Sequence, residues 1–154
     1  MRITKDNIHK FIDETTMNCS ENGITGIDYM PEGITHLYCY NNNLTSLPKL
    51  PESLIELNCY NNKLTELPKL LDGLKYLYCG GNRLTELPKL PDGLYALDCY
   101  NNQLTELPML PNSLIYLHCY NNQLTELPKL PDSLTHLDCG FNNLPYKITI
   151  EKLK

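Results

Sequence analysis

The seven cysteines of this chain lie at a constant separation of 20 residues, and this spacing constrains the fold more than any other feature of the sequence. They are Cys19, Cys39, Cys59, Cys79, Cys99, Cys119 and Cys139. An arbitrary globular domain has no reason to space one residue type so evenly, whereas a stack of similar structural units does. The chain of 154 residues is therefore predicted to be an array of 20-residue repeats.

A short strand is predicted around each cysteine. Between Tyr116 and Tyr120, apolar residues alternate with polar or aromatic ones, which is the period of a strand. Leu117 and Cys119 then face the core, and the residues beside them face outward.

The remainder of each unit is predicted to return the chain to the next strand along an extended path. Pro128 and Pro131 exclude a regular helix there, because proline fixes its own φ and biases the preceding residue toward extended geometry. One strand per circuit predicts a right-handed solenoid with a concave parallel β-sheet, an extended or polyproline-like convex side and little helix. Inward leucines such as Leu117 and Leu124 then stack into a continuous core.

The spacing of leucine, cysteine and asparagine within the unit resembles a known repeat family. The pattern Leu-x-x-Leu-x-Cys-x-x-Asn-x-Leu, seen from Leu54 to Leu64, resembles the leucine-rich repeat, with Cys at a position usually taken by Leu. The extension Leu-Pro-x-Leu-Pro, seen from Leu127 to Pro131, is similar to the short subclass in bacterial type III secreted effectors and some giant-virus proteins. This resemblance implies a curved solenoid used mainly for protein recognition.

Three regions are expected along the chain. Residues 1–13 are predicted to form an N-terminal helical cap. Ile3, Ile8, Phe11 and Ile12 form the apolar side of a short amphipathic helix over 3–12, with Thr4 as its possible N-cap. Residues 14–144 hold seven 20-residue repeats, and residues 145–154 are predicted to form a C-terminal cap.

One asparagine recurs just after each predicted strand. Its side chain can hydrogen-bond turn backbone groups that would otherwise be buried without partners. The resemblance identifies this column as the asparagine ladder of the family, and we interpret it as structural. Its members are Asn22, Asn42, Asn62, Asn82, Asn102, Asn122 and Asn142.

The cysteines are interpreted as free thiols that serve as small buried hydrophobic residues. The odd number of cysteines and the N-terminus, which has no apolar leader, favour a reducing compartment and a cytoplasmic location, including the host cytoplasm that the resemblance implies. Metal binding and redox sensing are the alternatives. We expect no metal site and no cofactor, because a linear file of thiols does not converge on one point.

Charge and hydropathy exclude several classes of partner. The net charge of −5 arises from acidic and basic residues mixed along the chain, whereas binding to nucleic acid or an anionic membrane requires concentrated positive charge. No apolar run approaches the roughly 20 residues of a membrane helix. We expect a monomer or weak self-association.

The outward residues of the strands are the candidate binding surface. Aromatic side chains in rows are typical of binding hot spots, although cross-strand stacking alone would also account for them. The predicted partner-binding residues on the concave face are Tyr38, Tyr40, Tyr60, Tyr76, Tyr78, Asp98, Tyr100, Tyr116, His118, Tyr120 and Asp138.

The leading functional hypothesis is a non-catalytic module that binds a protein, and the resemblance makes a host protein the expected partner class. A small-ligand or carbohydrate receptor that uses the platform of tyrosines is the alternative. An enzyme centred on Asp98, His118 and Asp138 is the weakest hypothesis, because the chain has no nucleophile motif, phosphate loop or convincing metal set. No catalytic residues are predicted.

Overall fold

One eight-stranded sheet runs through the molecule in the computed structural model, which describes residues 1–146. The strands in chain order are β1 (Arg2–Ile3), β2 (Ile12–Asp13), β3 (Thr16–Asn18), β4 (Gly26–Ile27), β5 (His36–Tyr38), β6 (Glu56–Asn58), β7 (Tyr76–Tyr78), β8 (Ala96–Asp98), β9 (Tyr116–His118) and β10 (His136–Asp138). The sheet has the order β10-β9-β8-β7-β6-β5-β3-β2. From β3 to β10 its strands are parallel, and each residue pairs with the one 20 positions later. The predicted repeat solenoid with a parallel sheet and little helix is confirmed.

The core consists of the inward columns that the alternation predicts. Leu57 and Cys59 of the third repeat are fully buried, as is Leu64 beyond the turn. Equivalent residues of the neighbouring repeats contact them above and below, so that one apolar cluster extends along the stack. In the last repeat, Leu137 and Leu144 are only partly buried.

Between β3 and β10, the segments that return from one strand to the next contain turns and bends and no helix. The turn before each of the strands β6 to β10 is closed by a hydrogen bond such as that from the backbone N–H of Leu54 to the carbonyl of Pro51, 3.1 Å. The repeat that has Leu71 in place of this proline keeps the turn, with 3.0 Å from Leu74 N–H to Leu71 carbonyl. Within the described part of the chain, no helical segment meets the length and hydropathy of a membrane span.

The N-terminal segment differs from the amphipathic helix predicted over 3–12. It contains a single turn of 3-10 helix, Ile8–Phe11, between β1 and β2. The backbone of β1 pairs with β4, and β2 pairs antiparallel with β3, so these residues satisfy their hydrogen bonds across strands instead of along a helix. Thr4 does not cap the turn: its backbone N–H donates to Asn7 Oδ1, 2.8 Å. The part of the predicted C-terminal cap that follows Tyr146 lies outside the described residues.

The recurring asparagine joins successive repeats through its side-chain amide. Asn62 Nδ2 donates to the carbonyls of Cys39 and Cys59 at 3.0 and 3.1 Å, and its Oδ1 accepts from the backbone N–H of Leu44 at 2.9 Å. Equivalent bonds are made by Asn42, Asn82, Asn102, Asn122 and Asn142. Because these backbone groups lie inside the stack, the amide gives partners to groups that water does not reach.

Candidate functional site

The outward side chains of the seven parallel strands form one surface with those of the second residue after each strand, and we call this surface the sheet face. It has three columns, at the register positions of His36, Tyr38 and Tyr40. Adjacent parallel strands lie about 4.8 Å apart, so residues 20 positions apart in a column are in contact distance of each other. The sheet face holds every residue predicted to bind a partner.

The column that begins at Tyr40 contains two stacked pairs of rings. The rings of Tyr40 and Tyr60 lie 4.8 Å apart between centroids with 4° between their planes, and those of Tyr100 and Tyr120 lie 5.1 Å apart with 9°. Between the pairs, a Cβ atom placed on Gly80 would overlap the ring of Tyr100, which shows that this ring lies over the glycine. One face of each stacked ring is thus covered by its partner.

The column that begins at Tyr38 combines aromatic and ionisable side chains. His118 Nδ1 lies 3.7 Å from Asp98 Oδ2, within ion-pair distance but too far for a hydrogen bond. The other carboxylate oxygen of Asp98 accepts from the backbone N–H of Tyr100 at 3.5 Å, which orients the group. Burial raises the pKa of Asp98 above its ordinary value, and the hydrogen bond from Tyr100 and the proximity of His118 oppose this rise. Burial likewise raises the pKa of Tyr78.

The column that begins at His36 contains a depression at Ala96, where a small side chain stands between two tyrosines. Tyr76 and Tyr116 flank Ala96 on the adjacent strands, and Tyr95 closes the side at the start of the strand. The ring of Tyr95 lies 5.8 Å from that of Tyr76 and 5.7 Å from that of Tyr116, tilted by 60° and 51°. The depression has a volume of about 230 Å³ and is lined by Tyr76, Tyr78, Tyr95, Ala96, Leu97, Asp98, Tyr116 and His118. We call Tyr76, Tyr95 and Tyr116 the tyrosine box.

The structure brings some of the predicted binding residues together and leaves others apart. Tyr76, Tyr78, Asp98, Tyr116 and His118 line the depression. The stacked pairs of the neighbouring column do not line it. All of the predicted binding residues are half-buried except Asp138, which is exposed.

A metal site or an acid–base site, the alternatives raised by the sequence, would need several titratable side chains close together. Among residues 1–146, no three His, Cys, Asp or Glu side chains lie close enough together to hold a metal ion. Six of the cysteines are buried, and burial raises the pKa of Cys19, Cys59 and Cys119 to about 12. A thiol that keeps its proton is a poor nucleophile and a poor metal ligand.

Comparison with known proteins identifies the family. The model of the Leucine Rich Repeat family matches residues 53–74. The fold is also that of YopM from Yersinia enterocolitica, with 39% identity over 82% of this chain and a TM-score of 0.82. The chain is a leucine-rich-repeat protein. A Shigella effector leucine-rich-repeat domain is similar as well, with 34% identity over 87% of this chain and a TM-score of 0.82.

A second YopM structure, described as a leucine-rich effector protein from Yersinia pestis, has 33% identity over 86% of this chain and a TM-score of 0.68. This chain spans 28% of the Y. enterocolitica protein, 61% of the Shigella domain and 44% of the Y. pestis protein. No curated protein sequence matches it. Leucine-rich-repeat folds of this kind generally mediate protein–protein interaction.

Two features of this leucine-rich-repeat protein escape the alternation argument. Tyr95 precedes its strand, so counting outward positions from Ala96 onward omits it, although it is 40% exposed and forms a wall of the box. Its column reads Ile55, Lys75, Tyr95 and Ile115, and the aromatic residue in this column is the signal that would have found it.

The second feature is the residue before each ladder asparagine, which has a positive φ in successive repeats, for example 51° at Asn61 and 64° at Gly81. Asn and Gly tolerate this conformation best, which explains the Asn-Asn and Gly-Asn pairs.

Proposed function

We propose that this protein is a non-catalytic recognition module that binds a protein partner through its sheet face, in the cytoplasm of a host cell. The observation that carries this proposal is the concentration of half-buried aromatic and acidic side chains on one rigid surface. Tyrosine offers a large contact area and a polar tip at low conformational cost, which favours its use in binding hot spots. The fold generally serves protein interaction, and the similar solved structures are described as bacterial effector proteins, which supports a host partner by analogy.

The surface is suited to a protein partner because it is already formed in the free molecule. Stacking of Tyr40 on Tyr60 and of Tyr100 on Tyr120 holds the rings in place, so little side-chain freedom is lost on binding. The same stacking covers one face of each ring. Because a sugar stacks on a free ring face, fewer faces are available to it than the number of tyrosines suggests.

The test is affinity capture from candidate host lysate with three baits. The double variant Tyr100→Ala/Tyr120→Ala removes one stacked pair from the sheet face. The matched control is Met109→Lys on the opposite surface, where Met109 is 87% exposed and the equivalent residues are Lys49, Lys69, Lys89 and Lys129. We expect the same partner to be captured by the unchanged protein and by Met109→Lys, and to be lost with the double variant. Equal capture by all three baits, with unfolding curves that show each to be folded, would contradict binding through the sheet face.

A further inference from the structure

We propose that the tyrosine box binds the ammonium head of a lysine side chain presented by the partner protein. This inference rests on the proposed recognition function and specifies the chemistry of one contact within it. The rings of Tyr76, Tyr95 and Tyr116 line a depression at Ala96, and the carboxylate of Asp98 and the imidazole of His118 line it as well. The site takes one cationic side chain end-on.

The rings supply the attraction that a cation needs. Tyr95 is tilted by 60° to Tyr76 and by 51° to Tyr116, so its ring lines the depression from a direction different from theirs. The ring of Tyr116 also stacks on His136 at 4.3 Å between centroids, which covers one of its two faces. An ammonium group within about 6 Å of a ring centroid is attracted by the negative face of the ring, and desolvation strengthens this attraction. Boxes of aromatic rings are therefore suited to alkylammonium groups in general.

The small residue at position 96 creates the space. In the same column the flanking strands carry Tyr76 and Tyr116, and Ala96 is 7% exposed beneath them. A depression of about 230 Å³ remains above it. A compact head group on a flexible stem, such as that of lysine, enters such a space end-on, whereas the planar guanidinium of arginine stacks best on a single ring.

Charge favours a cation over a neutral group of the same shape. Asp98 and Ala96 are two residues apart on the same face of β8, roughly 6.6 Å along the strand. Within residues 1–146, the three columns of the sheet face include Glu56, Asp98 and Asp138 but no lysine or arginine; their other ionisable side chains besides tyrosine are His36, His118 and His136. His118 also lines the depression, with its Nδ1 3.7 Å from Asp98 Oδ2. The nearby Lys75 extends its ammonium group to the turn at Gly93, where a Cβ atom would overlap it. The exposed lysines at 49, 69, 89 and 129 lie on the opposite surface.

Methylation of the lysine is expected to strengthen binding. An unmodified ammonium group has three N–H donors, and the box offers one carboxylate and three ring faces to receive them. A trimethylated lysine keeps the positive charge but has no donors to leave unpaired, so it loses less on leaving water.

The test measures binding of four short peptides to the folded chain by NMR. The peptides are acetyl-Gly-X-Gly-amide in which X is lysine, trimethyllysine, acetyllysine or arginine, and choline serves as a free alkylammonium probe. We expect affinity to fall in the order trimethyllysine, lysine, arginine, with acetyllysine unbound, and shifts to be centred on Tyr95 and Ala96. Equal binding of acetyllysine, tighter binding of arginine than of both lysine forms, or binding of choline without either lysine peptide would overturn the proposal.

Two variants test the location of the site, and each introduces a residue that occurs at the equivalent position of another repeat. Tyr95→Ile introduces the residue found at positions 55 and 115, and Asp98→Asn introduces the one found at 58. Because Asn58 Oδ1 accepts from the backbone N–H of Tyr60 just as Asp98 accepts from Tyr100, folding should be retained. We expect each variant to weaken binding of the lysine peptides by between about twofold and thirtyfold. Met109→Lys, which introduces the residue found at 49, 69, 89 and 129 on a return segment outside the sheet face, should leave binding unchanged.

The outcome is independent of the test of the proposed function. If Tyr95→Ile binds the peptides as well as the unchanged protein does, while Tyr100→Ala/Tyr120→Ala still loses its captured partner, the lysine contact is overturned and recognition through the sheet face stands. If peptide binding follows the box but partner capture is insensitive to the tyrosine pair, the affinity of the box for a lysine side chain stands, and recognition of the partner through the sheet face is contradicted.

Discussion

The ring of Tyr100 lies over Gly80 of the preceding repeat, where a Cβ atom would overlap the ring. Tyr100 also stacks on Tyr120, so one ring joins the backbone of the repeat before it to the aromatic side chain of the repeat after it. The glycine in this column of tyrosines is therefore part of the packing arrangement and not a gap in the repeat.

Replacing Gly80 with alanine is expected to lower the free energy of unfolding by about 1–3 kcal/mol, since the ring must move off its stack to make room. Urea unfolding measures the change. Gly140→Ala is the matched control, because a Cβ atom there meets only Asp138 Oδ1 at 3.6 Å, and a change within about 0.5 kcal/mol is expected. In the background of Tyr100→Ala, the cost of Gly80→Ala should largely disappear. If Gly80→Ala were equally destabilising in the Tyr100→Ala protein, the strain would come from the backbone and not from the ring.

Asn62→Ala is expected to destabilise the protein by at least about 3 kcal/mol. The substitution leaves the carbonyls of Cys39 and Cys59 and the N–H of Leu44 without their side-chain partner inside the stack. Asn142→Ala removes the same set of bonds in the last repeat, where the asparagine is half-buried and water can replace part of the set. A smaller loss is expected there. Equal losses at the two positions, measured by urea unfolding, would show that burial does not set the cost.

The buried thiols predict a loss of stability at alkaline pH. Burial raises the pKa of Cys59 from 9.0 to about 12, so the unfolded chain releases this proton before the folded chain does. The stabilising contribution is fully present below the pKa of the unfolded state and is lost as the pH rises from about 9 toward 12. Within that window each such thiol contributes a slope of about 1.4 kcal/mol per pH unit.

The measurement is the free energy of unfolding in reducing buffer at several pH values between 8.5 and about 10.5, which covers the lower part of the window between pKa 9.0 and about 12. Cys59→Ala should be less stable throughout because of the cavity, but its dependence on pH should be shallower by the slope of one thiol. Parallel curves for the two proteins would mean that Cys59 does not titrate on unfolding.

Cysteine alkylation under native conditions is expected to begin at Cys139. This residue is half-buried, whereas the other six cysteines are buried, and the thiolate is the reactive form. Limited treatment with iodoacetamide followed by peptide mass spectrometry gives the order of labelling. Earlier labelling of Cys59 or Cys79, in the middle of the stack, would contradict the burial of the cysteine column.

The strict period explains why so much of the fold could be predicted from the sequence. Once Cys119 is placed on a strand, alternation sends Leu117 inward and His118 outward, and the same assignment carries to every repeat without further information. The N-terminal segment has no such period. Its short strands pair with residues that lie up to 24 positions away, as in Arg2 with Gly26, and local apolar spacing favours a helix that these pairings replace.

The candidate site could be predicted only in part, because its shape depends on side chains from three repeats at once. The sequence places Tyr76 and Tyr116 on the sheet face, but the depression between them arises from the small side chain of Ala96 and the tilt of Tyr95. Column composition states which residues are neighbours. It does not give the orientation of each ring. The position of the Tyr100 ring over Gly80 could not be predicted for the same reason.

The asparagine bonds also restrict how such a gene can change in length. From Asn42 onward, each ladder amide bonds a carbonyl 23 positions earlier and an N–H 18 positions earlier, as Asn62 does with Cys39 and Leu44. Duplication or loss of 20 residues preserves both offsets, whereas an insertion of one residue between two ladder positions displaces the partners of the next amide. Recombination between repeats in phase therefore yields folded products, and the length of the binding surface can change in whole units without redesign of the core.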